Sequence, residues 1–184
     1  MIRRPIEACP LPDEALLRRH SPDAPDGPDG GYCDAYTTVV GGRVGLADYV
    51  HAFYTSAAFA PERLLLALVL RHPGDGERAR RLGEGRTDAF SGWRVESRAP
   101  GQLLLADVRE HTRSWLMVRD EAADGAAATR LWFGSAVLPR VDPATGRGEL
   151  GVVFRALLGF HRVYSRVLLR SATAALARRG SSET

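Results

Sequence analysis

The spacing of apolar residues changes character several times along the chain, and each change marks an element. From Tyr32 to Val40 aromatic and β-branched residues accumulate and Gly41-Gly42 closes the run, which predicts a first strand. Leu46, Tyr49, Val50, Phe53, Tyr54 and Ala57 then recur at helical spacing, so Leu46 to Ala58 is predicted as an amphipathic helix. A second helix is predicted from Pro61, a good first-turn residue, to Arg71, with Glu62 near the positive end of its dipole. It is apolar almost all round and stops at Pro73-Gly74, so burial is expected. Residues 74–92 read as a glycine- and charge-rich connection holding one helical turn around Arg78 to Leu82. Thereafter Trp93 to Ser97, Gln102 to Val108, Thr112 to Val118 and Thr129 to Leu138 carry strand-forming residues. They are separated by Pro100-Gly101, by Arg109-Glu110-His111 and by the polar stretch Asp120 to Gly125. Connections this short favour antiparallel pairing, because parallel neighbours need a long crossover.

From Leu150 to Arg178 the pattern predicts one long helix with room to bend at Gly159. At 100° per residue, Leu150, Val153, Leu157, Phe160, Tyr164, Leu168, Ser171 and Ala175 share a face, opposite Arg155, Arg162, Arg166 and Arg170. Such a helix spans roughly 40 Å and crosses a five-stranded sheet about 24 Å wide. The expected fold is α+β: an antiparallel sheet wrapped around a long C-terminal helix, with two helices inserted after the first strand. Six of the eleven prolines fall in the first 30 residues, and Ser21 to Gly31 cannot sustain a helix or a central strand. A short surface helix fits at Asp13 to Arg19. Residues 1–30 are therefore expected to be a flexible segment adding little to the core, followed by one domain over 31–179 and a tail at 180–184.

Composition narrows the class. A chain of 184 residues is the size of one domain, and 45% hydrophobic with 26% charged content excludes a disordered or fibrous chain. All 25 basic residues are arginine, so chemistry through a lysine Schiff base is excluded. The pI of 9.2 accompanies a net charge of only +3, so no nucleic-acid partner is inferred. Cys9 and Cys33 form neither a disulfide framework nor a zinc signature. Met1 to Pro5 leads into no secretory signal, and the apolar run Leu64 to Leu70 is far below the roughly 20 residues of a membrane span. A cytoplasmic protein without a membrane partner is expected.

Cofactor motifs are missing. There is no His-Glu-x-x-His, no histidine pair at i and i+4, no Gly-x-Gly-x-x-Gly or Walker loop, and no Gly-x-Ser-x-Gly elbow. Gly83-Glu84-Gly85 lacks the required context, and Cys33 has no neighbouring histidine in sequence. Neither metal nor cofactor is expected.

The order strand, helix, helix, antiparallel strands and long terminal helix resembles the helix-grip fold of the START-like, or SRPBCC, superfamily. That superfamily includes the birch-pollen allergen, lipid-transfer domains and polyketide cyclases. Leu103-Leu104-Leu105-Ala106-Asp107-Val108-Arg109-Glu110-His111 and Gly159-Phe160-His161-Arg162-Val163-Tyr164-Ser165-Arg166-Val167-Leu168-Leu169-Arg170 look like two signature stretches of an uncharacterised domain family in or near it. Gly159 stands where that family has proline. The resemblance covers roughly residues 32–178 and implies a ligand cavity between sheet and terminal helix, but transfers no catalytic residue.

Within that frame His161 and Tyr164, three apart on one helix surface, are candidates for hydrogen-bonding a ligand or moving protons. The alternative is a buried tyrosine and a boundary histidine that satisfy backbone groups. Alternation sets Arg113, Trp115 and Met117 on one sheet face and Ser114, Leu116 and Val118 on the other, without saying which is concave. If Arg113 points inward it needs a carboxylate partner or an acidic ligand, and Asp107 is the candidate. Otherwise both are surface charges, the reading that burial preferences favour. The candidate catalytic residues are His161, Tyr164 and Asp107, and the candidate lining is Tyr54, Arg113, Trp115, Phe133, Leu157, Phe160 and Leu168. A largely apolar or amphipathic organic molecule is the expected partner. A cyclase- or isomerase-type enzyme using the same cavity, and an interaction module using the arginine face, are the alternatives; a solvated helix face is the plain reading of those arginines.

Overall fold

The computed structural model describes residues 4–29, 31–60, 76–141, 148–150 and 152–180. The helix predicted over 61–71 lies outside them.

Strand β1 is Glu7–Ala8, β2 is Tyr32–Gly41, β3 is Ala89–Phe90, β4 is Trp93–Ala99, β5 is Gln102–Asp107, β6 is Thr112–Ala123 and β7 is Ala126–Val137. They form one antiparallel sheet in the order β1-β2-β7-β6-β5-β4-β3, seven strands where the sequence pattern shows five. A separate two-stranded ribbon, β8 (Arg140–Val141) with β9 (Gly148–Glu149), precedes the last helix. Helix α1 is Leu46–Tyr54, α2 is Gly76–Gly83 and α3 is Val152–Gly180. The chain is thus α+β, a seven-stranded antiparallel sheet with a C-terminal helix. Among the described residues no helix is long and apolar enough to cross a membrane.

β6 and β7 are longer than their apolar cores because a two-residue turn joins them. Ala123 pairs with Ala126, and Asp124 and Gly125 take φ of 52° and 76°. Positive φ at both central residues is the hairpin turn whose twist matches the strands it joins. Helix α1 is shorter than predicted: the Thr55 N–H and hydroxyl both donate to the His51 carbonyl, at 3.0 and 2.7 Å, and the Ser56 N–H then turns to the Phe53 carbonyl at 3.2 Å instead of continuing the helical ladder.

Strand alternation separates two cores. Tyr36, Val40, Leu103, Leu105, Leu116, Leu131 and Phe133 pack with α1, α2 and Leu168, Leu169, Ala172 and Leu176 of α3. Ala35, Leu104, Trp115, Met117, Trp132 and Ala136 face the other way and pack with Ala15 and Leu17. The expectation that residues 1–30 add little to the core is therefore corrected. Leu17 is fully buried in the single 3-10 turn Leu16–His20, and Gln102 ties it down. The Gln102 amide donates to the Glu14 carbonyl, and its oxygen accepts from the Leu16 N–H and the Trp115 indole, at 2.9–3.0 Å. Proline density limits regular structure here to the two-residue β1 and one 3-10 turn but does not prevent burial, and an apolar outer sheet face needs a cover.

Gly134 of β7 shows how close that cover lies. A Cβ there would stand 2.8 Å from Leu17 Cδ2 and 3.0 Å from Trp115 Cε3. Gly134→Ala is expected to cost about 1–3 kcal/mol by overpacking, read as a lower denaturation midpoint. A parent-like midpoint would mean that the 3-10 turn does not press on the sheet.

The buried face of α3 matches the predicted stripe only in part: Leu168 is in the core and Tyr164 and Ala175 pack against it. Ser165, Leu168, Leu169, Ala172, Thr173 and Leu176 are buried, whereas Phe160 is 67% exposed. The helix is turned about one residue from expectation. Ser165 and Thr173 interrupt the hydrophobic stripe in sequence, yet both are small enough to sit against the inner core.

Candidate functional site

Between the inner sheet face and α3 lies a cavity of about 170 Å³. Phe53 of α1, Phe59 after it, Phe133 of β7 and Leu168 of α3 form its apolar walls. Trp93, Thr112, His161 and Tyr164, all half-buried, stand where it approaches solvent. Strand alternation supplies two serines: Ser114 shares the inward face with Leu116, and Ser135 shares it with Phe133.

One polar atom in this lining is exceptional. Ser165 is 1% exposed, and among the described residues its hydroxyl has no hydrogen-bond partner. Helical serines commonly satisfy themselves on the carbonyl four residues back, and this one does not. An orphaned buried hydroxyl costs about 1–3 kcal/mol, so its place beside a cavity suits a ligand that supplies the missing bond.

At one edge the cavity meets a polar cluster that the register of β2 and β7 creates. Asp34 and Ser135 are direct cross-strand partners, and α3 brings His161 onto them. The Ser135 hydroxyl donates to Asp34 Oδ1 at 2.7 Å, and His161 Nε2 lies 2.8 Å from Ser135 Oγ and 3.8 Å from Asp34 Oδ2. With the serine proton directed at the carboxylate, Nε2 carries the hydrogen toward Oγ. Tyr32 donates to Asp34 Oδ2 at 3.0 Å, and its ring meets the His161 imidazole edge-on at 5.6 Å. Burial opposes ionisation of Asp34, but the hydrogen bonds from His161 and Ser135 outweigh it and hold the carboxyl below its usual range. The resemblance to a serine-histidine-aspartate relay is only compositional. Asp34 and Ser135 both engage Nε2, whereas a relay places the acid on one ring nitrogen and the nucleophile on the other. The cluster instead fixes His161 at the cavity edge.

The predicted site residues divide. His161, Tyr164, Arg113, Phe133 and Leu168 line the cavity. Tyr54 lies one layer behind it, its hydroxyl 3.2 Å from Ser114 Oγ. The Tyr164 hydroxyl reaches the Ala58 carbonyl at 3.4 Å, which is the backbone-satisfying role. Phe160 is corrected to the solvent side, where it stacks on the Tyr164 ring with centroids 5.8 Å apart. Trp115 belongs to the outer core. The Arg113 side chain is buried, against the surface reading, and its carboxylate partner is Glu96 rather than Asp107. Asp107 caps the β5–β6 turn, its Oδ1 accepting from the N–H groups of His111 and Thr112 at 2.8 and 3.3 Å. The Leu157 side chain lies outside the described residues. Asp34, Ser135 and Ser165 were not predicted, since nothing local in sequence marks them.

Among the described residues no three histidine, cysteine, aspartate or glutamate side chains converge as a metal set. No protein-family model, curated protein or solved structure matches this chain.

Proposed function

We propose that the protein binds a small, largely apolar molecule between sheet and α3, in the manner of the helix-grip proteins it resembles. The observation that carries this is the buried Ser165 hydroxyl, without a partner among the described residues, in the lining of a cavity whose walls are formed largely by aromatic and aliphatic side chains. Size limits the ligand: an apolar cavity of about 150 Å³ takes a benzene-sized molecule, so about 170 Å³ suits one ring with a hydroxyl or keto group. The ring would contact Phe53, Phe59 and Phe133, and its polar group would pair with Ser165.

Native mass spectrometry of protein purified from its own host tests this. A non-covalent adduct of one-ring mass is expected, released on denaturation and missing from Leu168→Trp, which fills the cavity and whose folding circular dichroism can verify. The reading fails if no adduct is carried and no one-ring phenol or ketone raises the melting temperature. Ser165→Ala is expected to raise the stability of the free protein by about 1 kcal/mol, since it removes an unsatisfied hydroxyl, while weakening ligand binding. A loss of stability would mean that the hydroxyl is satisfied without a ligand.

The second reading is a cofactor-free cyclase- or isomerase-type enzyme with His161 as its acid or base. It is favoured by one observation, the imidazole held at the cavity edge by Ser135 and Asp34. Binding retained and turnover abolished in His161→Gln supports the enzyme; binding and turnover both unchanged removes it.

A further inference from the structure

The solvent side of α3 carries a second concavity that the inner cavity does not explain. It is a groove of about 820 Å³ between this helix and the N-terminal segment that precedes β1, within the range of ligand sites. Val163, Val167, Pro5 and Ile6 are among the residues along it, with Arg166 and Arg170 at its side. That segment is fixed against β2: the Arg4 N–H donates to the Val39 carbonyl at 3.0 Å, and the Thr38 hydroxyl donates to the Arg4 carbonyl at 2.7 Å.

Exposure and charge here are both unusual. Of four large exposed hydrophobics among the described residues, Phe160, Val163 and Val167 are on this helix. Arg166 and Arg170 are four apart, a like-charge spacing that disfavours a helix. Among the described residues neither forms an ion pair, whereas Arg4 across the groove is paired with Asp124 at 3.7 Å. Arg166 lies over the Tyr36 ring at 5.3 Å, which orients it without neutralising it. Two uncompensated guanidinium groups beside an apolar trough complement an anion with a tail. A second copy of the chain fits poorly, since a twofold contact would bring both arginine pairs together.

We propose that this groove binds a free, single-tailed amphiphilic carboxylate, its tail along Ile6, Val163 and Val167 and its head on the forks of Arg166 and Arg170. The site is independent of the inner cavity, whose volume is about a fifth as large by comparison of 170 with 820 Å³.

Isothermal titration with dodecanoate below its micellar concentration tests the proposal, with acetate and dodecyltrimethylammonium as controls. One-to-one dodecanoate binding is expected, with neither control binding. Affinity is expected to fall at least tenfold in Arg166→Gln/Arg170→Gln and again in Val163→Ser/Val167→Ser, and to stay unchanged in Leu168→Trp. Equal affinity in the arginine variant overturns the proposal, as does equal binding of the cationic detergent. Loss in Leu168→Trp alone assigns the dodecanoate to the inner cavity and also overturns it. So do binding confined to anionic phosphatidylglycerol vesicles, which would make the face a membrane surface, and a dimer by analytical ultracentrifugation that Val163→Ser/Val167→Ser dissociates.

Discussion

Removing residues 1–20 is expected to abolish the cooperative melt, and Leu17→Ala alone to lower stability by about 2–5 kcal/mol. Leu17 is fully buried against the outer sheet face, in the cluster that holds Trp115, Met117 and Trp132. Without the segment those side chains meet water, and Gln102 loses the Glu14 carbonyl and the Leu16 N–H while still accepting from the Trp115 indole. The apolar burial lost with that segment is drawn from a net domain stability of only about 5–15 kcal/mol. Urea unfolding followed by tryptophan fluorescence reads the effect where it occurs, because two of the three tryptophans lie in this cluster. A truncated chain with the parental midpoint would show that the outer core stands without its cover.

The sequence was most legible where period and composition agreed. Gln102–Asp107 and the apolar halves of β6 and β7 follow strand alternation between turn signals, and the antiparallel order follows from short connections. The far ends of β6 and β7 were not legible from hydropathy, because alanine, aspartate and glutamate are poor strand formers. The signal there was Asp124-Gly125, a hairpin turn pair inside what reads as a polar loop. Helix α3 was found in extent but misplaced in rotation. Hydropathy weights Phe160 as core and Ser165 as surface, whereas packing put the small serine against the core and left the phenylalanine outside.

The candidate site was half legible for a related reason. His161 and Tyr164 stand out as polar aromatics beside an apolar stripe. Asp34 and Ser135 are 101 positions apart and meet only because β2 pairs with β7. That pairing joins the first long strand to the last, across the intervening elements, and no local pattern reports its register. Arg113 illustrates the limit of burial preferences: arginine is rarely buried unless paired, and here the partner comes from a neighbouring segment of the sheet rather than from the turn beside it.

That pair gives the other large expected effect. Glu96→Gln is expected to cost about 3 kcal/mol, since breaking a buried ion pair from one side leaves the other charge without compensation. The Arg113 side chain is 9% exposed and its Nε donates to Glu96 Oε2, while its Nη1 donates to the Glu110 carbonyl at 2.7 Å. His20 Nε2 lies 2.6 Å from the other Glu96 oxygen, so the carboxylate also holds the end of the N-terminal 3-10 turn to the sheet. Burial opposes ionisation of Glu96, but the His20 hydrogen bond and charge and the Arg113 guanidinium outweigh it and lower its pKa. A carboxyl depressed in the folded state binds fewer protons than in the unfolded chain, so its stabilisation is full above the unfolded value, about 4.3 for glutamate. It is lost as pH falls from there through the folded value. Asp34 acts with the same sign. Stability of the parent is therefore expected to fall on acidification below about pH 4, and Glu96→Gln to start lower and fall less steeply. Arg113→Met in the Glu96→Gln background separates charge from packing: it removes the stranded cation and is expected to restore much of the lost stability. Denaturation midpoints from pH 2 to 7 would decide, and an unchanged acid limb in Glu96→Gln together with no recovery in the double variant would assign the cost to packing alone.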